Sequence, residues 1–308
     1  MSFTIALTNV LITLFYIFPG FVITKMRKAT TEHLPTLSAV LIYIGTPFMV
    51  VSAFMSLEFT LDNFKNMGIF FILTLLIQIL FMLIFVAIFG KRYDNAKYRL
   101  LTLASTMGNV GFFGLPIVKA LFPDQPEVTA YSAIFTVSMN MLVFTMGIFC
   151  LTGNKKYISL KSAFCNPNVF GLLLALPFYF FGLKELLPEA FSNAIQVIGN
   201  MTAPLCMFIL GIRLAKTPWK RIFGRPMVYL IAVLKLLIFP LFAYLCVYFL
   251  PVDDTIKASV MVLASTPCAA VILSLSEIHK TDAEMAANCI LVTTLLCFLT
   301  IPTLTLLL

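Results

Sequence analysis

Charged and polar residues punctuate this chain at intervals of about two dozen positions, and the stretches between them are almost wholly apolar. The apolar runs lack the strict alternation of barrel strands. At about 20 residues each they have the length a helix needs to cross a bilayer. Lipid offers the backbone no partners, so such runs must close their hydrogen bonds internally, as helices do. The pattern predicts an all-α integral membrane protein with ten transmembrane helices, at about 3–24, 34–57, 67–89, 98–121, 129–152, 166–187, 191–214, 226–250, 256–278 and 285–307. The loops between them are short. They leave no room for a soluble nucleotide-binding domain, and no GxxxxGK[ST] phosphate loop occurs.

Composition agrees: 61% of the 308 residues are hydrophobic and 11% are charged, against roughly 25% charged in a soluble domain. The first run, Ser2 to Thr24, lacks a basic flank and a small-residue cleavage site, so it reads as a span rather than a signal peptide. The formal charge of +8 would suggest nucleic acid only if its placement were ignored. Lys25, Arg27 and Lys28 follow span 1, and Lys91, Arg92, Lys97 and Arg99 follow span 3. Lys155, Lys156 and Lys161 follow span 5, and Arg213, Lys216, Lys220, Arg221 and Arg225 follow span 7. The opposite loops carry only Lys65, Lys119, Lys184 and Lys257. The positive-inside rule therefore puts both termini outside the cell membrane, with Trp219, Lys220 and Arg221 as a cytoplasmic interface anchor. The seven cysteines form no CxxC pair and mostly lie in apolar runs, so they read as small core residues without a metal or disulfide framework.

The second half echoes the first. Leu103-Ala-Ser-Thr106 returns as Leu263-Ala-Ser-Thr266, Asn9-Val10 as Asn168-Val169, Thr46-Pro47 as Ala203-Pro204, and Glu127 as Glu284. Each half holds five spans, an odd number, so the second copy enters the membrane from the opposite side. The expectation is two inverted five-helix repeats, 1–155 and 156–308, the build of many secondary transporters.

Span 4 contains the stretch MGNVGFFGLPIVKALF, with Gly108, Gly111, Gly114 and Pro116 among its residues. Pro116 has no N–H and should leave the Phe112 carbonyl without its helical partner, and Pro267 should do the same to Leu263 in span 9. Irregular backbone at membrane depth survives only inside protein or beside a cavity, and glycines would let the two broken helices cross closely. Spans 4 and 9 run in opposite directions, so both second halves start near the midplane. Each such helix start carries about half a positive charge and free N–H donors, which together suit a carboxylate. The candidate substrate residues are Gly108, Asn109, Gly111 and Pro116 from span 4, and Ser265, Thr266, Pro267 and Cys268 from span 9. Gln78 and Lys235 occupy matching places in spans 3 and 8 and would support the crossing, with Thr46 and Asn140 completing the polar set. Lys235 lies about 15 Å of helix rise from Arg225, and snorkelling to the inner face is its alternative. Aligning the Leu-Ala-Ser-Thr repeats sets Pro267 opposite Met107 rather than Pro116, so the two breaks need not lie at equal depth.

These residues resemble the auxin efflux carrier family, which includes plant auxin carriers and bacterial malonate-type transporters. The resemblance spans essentially the whole chain and rests on Gly108-Asn109-Val-Gly-Phe-Phe-Gly-Leu-Pro116, similar to the family's Asn-x-x-x-x-Gly-x-Pro signature, and on Asn166-Pro167 opening span 6. It implies that spans 4 and 9 cross at the substrate site with Asn109 touching the substrate. It also implies that spans 1, 2, 6 and 7 form a scaffold and dimer side, while spans 3–5 and 8–10 move. The chain departs from many relatives by carrying Cys268-Ala-Ala-Val after Pro267, and it lacks the long loop of many plant members. The reading is a carrier of a small organic anion, not an enzyme, with no cofactor or metal, no nucleic-acid partner, and coupling to H⁺ or Na⁺ left open. A channel or sensor on the same fold, or a carrier like the sodium–bile acid symporters, are the alternatives.

Overall fold

The structure, a computed structural model, describes residues 2–217 and 224–308. Trp219, Lys220 and Arg221, the expected interface anchor, lie outside the described residues. The first half comprises α1 (Ser2–Phe15), α2 (Ile17–Lys25), α3 (Leu34–Ala39), α4 (Thr46–Met55), α5 (Leu61–Phe89), α6 (Ala96–Thr106), α7 (Leu115–Leu121), α8 (Glu127–Leu142) and α9 (Ile148–Thr152). The second comprises α10 (Leu160–Phe164), α11 (Pro167–Phe181), α12 (Glu189–Asn200), α13 (Thr202–Lys216), α14 (Pro226–Val233), α15 (Phe239–Tyr248), α16 (Asp254–Ala264), α17 (Val271–Ile278) and α18 (Ala283–Leu304).

Among the described residues seven helical runs are long and apolar enough to cross a membrane: Phe3–Lys25, Thr31–Met55, Leu61–Arg92, Glu127–Thr152, Glu189–Lys216, Pro226–Tyr248 and Ala283–Leu307. The three other expected spans differ. Residues 98–121 divide between α6 and the short apolar run Val110–Leu121, and 256–278 divide between α16 and α17. The expected span at 166–187 is the 15-residue α11, ended by Gly182 in a left-handed conformation at φ 59°.

Prolines inside the long runs do not break them, for a local reason. The turns Val40–Gly45, Val110–Gly114 and Leu234–Ile238 are π-helical, and each is followed after one residue by a proline: Pro47, Pro116 and Pro240. A proline ring would strike the carbonyl four residues back, and a wider turn moves that carbonyl aside. The backbone accordingly bonds five residues back, from Thr46 to Leu41, Leu115 to Val110 and Phe239 to Leu234. Thr46 reinforces the first of these turns by donating its hydroxyl to the Leu41 carbonyl at 3.0 Å.

Helices α2 and α13 pack together, as do α4 with α11 and α12, α5 with α8, α15 with α16, and α18 with α1 and α14. Arg99, read from sequence as part of a loop, is buried in α6 and donates to the Cys150 and Tyr93 carbonyls. One expected loop charge is thus spent on capping α9.

Candidate functional site: two interrupted helices and the cavity between them

The two interruptions fall at matching points. Helix α6 ends at Thr106 and helical backbone resumes at Val110, while α16 ends at Ala264 and α17 starts at Val271. Between them Gly108 and Cys268 form an isolated antiparallel bridge. The Asn109 N–H donates to the Pro267 carbonyl at 2.7 Å, and the Ala269 N–H donates to the Met107 carbonyl at 3.1 Å. Each break thus supplies the partners the other lacks, which is how irregular backbone can persist at such depth. The expected break at Pro116 is therefore corrected. Pro116 is not the break of span 4 but sits in the first turn of α7, nine positions further on. The break lies at Met107–Asn109, the residues that the Leu-Ala-Ser-Thr alignment sets opposite Pro267.

The end of α16 is closed by side chains. Ser265 Oγ donates to the Val262 carbonyl at 2.6 Å, Thr266 Oγ1 to Leu263 at 2.8 Å, and Lys235 Nζ to Ala264 at 2.6 Å. The Leu263 carbonyl, expected to be orphaned by Pro267, is therefore satisfied by Thr266. Lys235 is fully buried, so it does not snorkel, and its ammonium lies 4.7 Å from the Phe239 ring centre. A Cβ on Gly108 would come within 2.5 Å of Thr266 Oγ1 and 3.0 Å of Lys235 Nζ, so the close approach here requires glycine. Gly114 likewise faces Leu263 and Thr266, whereas Gly111 faces Met49 and Thr136 rather than span 9.

A cavity of about 310 Å³ opens in front of the pairing. Of the residues singled out from sequence, Gly108, Asn109, Gly111, Thr46 and Asn140 line it. Pro116 sits in the first turn of α7 and does not line the cavity, while Ser265, Thr266, Pro267, Cys268 and Lys235 stand behind it and hold the break. Cys268 illustrates this: its N–H donates to Thr293 Oγ1 at 3.0 Å and its thiol to the Ala104 carbonyl at 3.2 Å. Gln78 is not the counterpart of Lys235 at the crossing. Its amide donates to the Thr74 carbonyl and to Ser138 Oγ, tying α5 to α8.

Asn109 is buried, precedes the Val110–Gly114 turn, and does not cap it with its side chain. Its amide instead faces Cys206 Sγ of α13 at 3.8 Å. Both resuming segments open onto the same cavity, through Val110, Gly111 and Phe112 on one side and Ala269, Ala270 and Val271 on the other. First-turn N–H groups have no intrahelical acceptors, so two positive helix starts meet there. Among the described residues no acidic side chain lines the cavity. Sequence reading missed Cys206, taken as core filler, and Arg213, counted only as a loop charge. The signal was their spacing of seven on α13, which puts both on one face.

The class so defined is a helical membrane protein with a small central cavity floored by two paired helix interruptions. Comparison with known proteins agrees. The sequence model described as "Membrane transport protein" matches residues 5–162 and 154–305, and the chain belongs to that family, which is auxin efflux carrier-like. An "Uncharacterized transporter" of Methanocaldococcus jannaschii is 27% identical over 92% of this chain and 93% of its own. Another "Uncharacterized transporter", of Methanothermobacter thermautotrophicus, is 29% identical over 68% of each chain. A Rhizobium meliloti protein named "Putative malonate transporter" is 26% identical over 92% of this chain and 90% of its own. All three relatives are named as transporters, and multi-pass membrane residence and a small-molecule substrate follow from the family.

Proposed function

We propose that this protein is a secondary transporter, an efflux carrier of a small carboxylate, working by alternating access at the paired interruptions. The observation that carries the reading is the cavity itself: two helix starts and the buried Asn109 amide converge on it, and among the described residues no acidic side chain lines it. In this reading the chain has ten spans in two inverted repeats, 1–155 and 156–308, with the interrupted helices as spans 4 and 9. The two matched segments of the family model, meeting near residues 154–162, support that division. The packing of α2 on α13 and of α4 on α11 and α12 supports a scaffold of spans 1, 2, 6 and 7 against which the rest moves. By family resemblance that scaffold also carries a homodimer contact.

The cavity reaches Ser38, Asn166, Arg213 and Ile278, which lie near those helix ends that the Lys/Arg-rich loops join. With positive loops inside and both termini outside the cell membrane, the conformation faces the cytoplasm. Malonate, suggested by the name of the Rhizobium relative, is the first substrate to test, with acetate and succinate beside it.

Purified protein in liposomes should exchange labelled malonate and show trans-stimulation by unlabelled malonate, which a channel does not. Asn109→Ala should lower flux at least about ten-fold, the loss expected when one hydrogen bond to a charged group disappears. The variant should keep the wild-type elution profile. Undiminished flux in a folded Asn109→Ala protein would remove Asn109 from the site.

A further inference from the structure

Helix α13 presents a stripe to the cavity: Cys206, Ile209, Leu210 and Arg213 all line it, at the spacing of one helical face. Cys206 meets Asn109, and Arg213 lies seven residues on, about 10 Å along the helix. Arg213 is the only charged side chain among the described residues that line this cavity. Its Nη1 donates to Glu277 at 2.9 Å, a bond that joins α13 to the last turn of α17. The rest of its guanidinium edge, Nε and Nη2, has no protein acceptor among the described residues. An arginine fork held on one side by a carboxylate is thereby aimed, with the other side open for a second carboxylate. Asn140 adds an independent sign. It lines the same cavity on α8, is 5% exposed, and its side-chain amide bonds to no described residue. Its amide therefore faces the cavity space, where a carboxylate could pair with it.

We propose that Arg213 is a second carboxylate station, a vestibule site that takes the anion before it reaches Asn109, with Asn140 as the polar step between them and Glu277 as the positioning residue that aims the guanidinium. The inference rests on the carboxylate-carrier reading and adds to it where the anion is first held. The alternative role for the ion pair is a bridge between α13 and α17, and charge exchange separates the two. Arg213→Glu combined with Glu277→Arg keeps a bridge but removes the cation from the cavity face of α13.

With malonate as probe, Arg213→Gln should raise the KM for malonate presented at the cytoplasmic face roughly ten-fold while the maximal rate changes little. The charge-exchanged protein should show the same raised KM. In thermal shift, malonate should still stabilise Asn109→Ala and should no longer stabilise Asn109→Ala combined with Arg213→Gln. Wild-type KM in the charge-exchanged protein, or in Arg213→Gln, would overturn the vestibule site and leave the carrier reading intact. If malonate, acetate and succinate neither move nor stabilise the wild-type protein, the carboxylate reading falls and this inference falls with it.

Discussion

Lys235→Met yields a folded protein that binds malonate at least about ten-fold more weakly than wild type and melts at a lower temperature. Lys235 is fully buried, and its ammonium is held between the Ala264 carbonyl at 2.6 Å and the Phe239 ring. Ala264 closes α16, and a helix end carries about half a negative charge on its free carbonyls. The lysine therefore has a partner of opposite sign without any acidic side chain nearby. Methionine fills a similar volume, so little cavity is created. The Ala264 carbonyl, however, is left buried and unpaired, which costs about 1–3 kcal/mol. The second effect is electrostatic. Gly108 lines the cavity and a Cβ there would come within 3.0 Å of the ammonium, so removing the charge removes positive potential close to where an anion would sit. Lys235→Gln separates the two effects, because it offers Ala264 a donor but no charge. It should recover much of the lost melting temperature and none of the affinity. Wild-type malonate affinity in Lys235→Gln would show that the charge serves only to close α16.

The sequence carried the fold largely because lipid narrows the options. Runs of about 20 apolar residues, separated by short charged loops, can be little other than helices in this setting. The repeated Leu-Ala-Ser-Thr motif set Pro267 opposite Met107, where the structure has the break, but the expected break in span 4 lay at Pro116. The misreading came from treating proline as the agent of the break. Pro47, Pro116 and Pro240 are each absorbed by a π-turn, a shift in register that leaves no sequence pattern of its own. The break occurs instead where two chains of backbone can pair, at Gly108 and Cys268, and that condition involves residues 160 positions apart. The same limit explains the site. Asn109, which lines the cavity, was legible as a candidate because an asparagine between glycines in an apolar run is conspicuous. Ser265 and Thr266 looked like ligands but close α16, a role decided by where their hydroxyls point. Cys206 and Arg213 were invisible as site residues because nothing in α13 alone says which face meets the cavity.

Gly211→Leu should abolish recovery of monodisperse protein, and Gly211→Ala should lower its melting temperature markedly. Helices α2 and α13 cross with Gly20 and Gly211 against each other's backbone. A Cβ on Gly211 would overlap the Ile17 carbonyl oxygen and come within 2.8 Å of the Phe21 nitrogen. A Cβ on Gly20 would overlap the Phe208 carbonyl. Backbone cannot rotate aside as a side chain can, so even a methyl group must push the helices apart, at a cost of about 1–3 kcal/mol or more. Such close backbone approach is a principal source of helix association in lipid, where no hydrophobic force drives helices together. Gly68→Ala is the matched control. Its added Cβ would meet nothing within 4 Å, so the substitution should be neutral or stabilising by up to about 1 kcal/mol. An unchanged melting temperature in Gly211→Ala would show that the two helices are free to separate. That outcome would bear on transport as well as stability, because α13 also presents Cys206 and Arg213 to the cavity. If α2 does not fix α13, those two residues lose their largest packing support, and span 7 loses it too as the proposed stationary wall of the site.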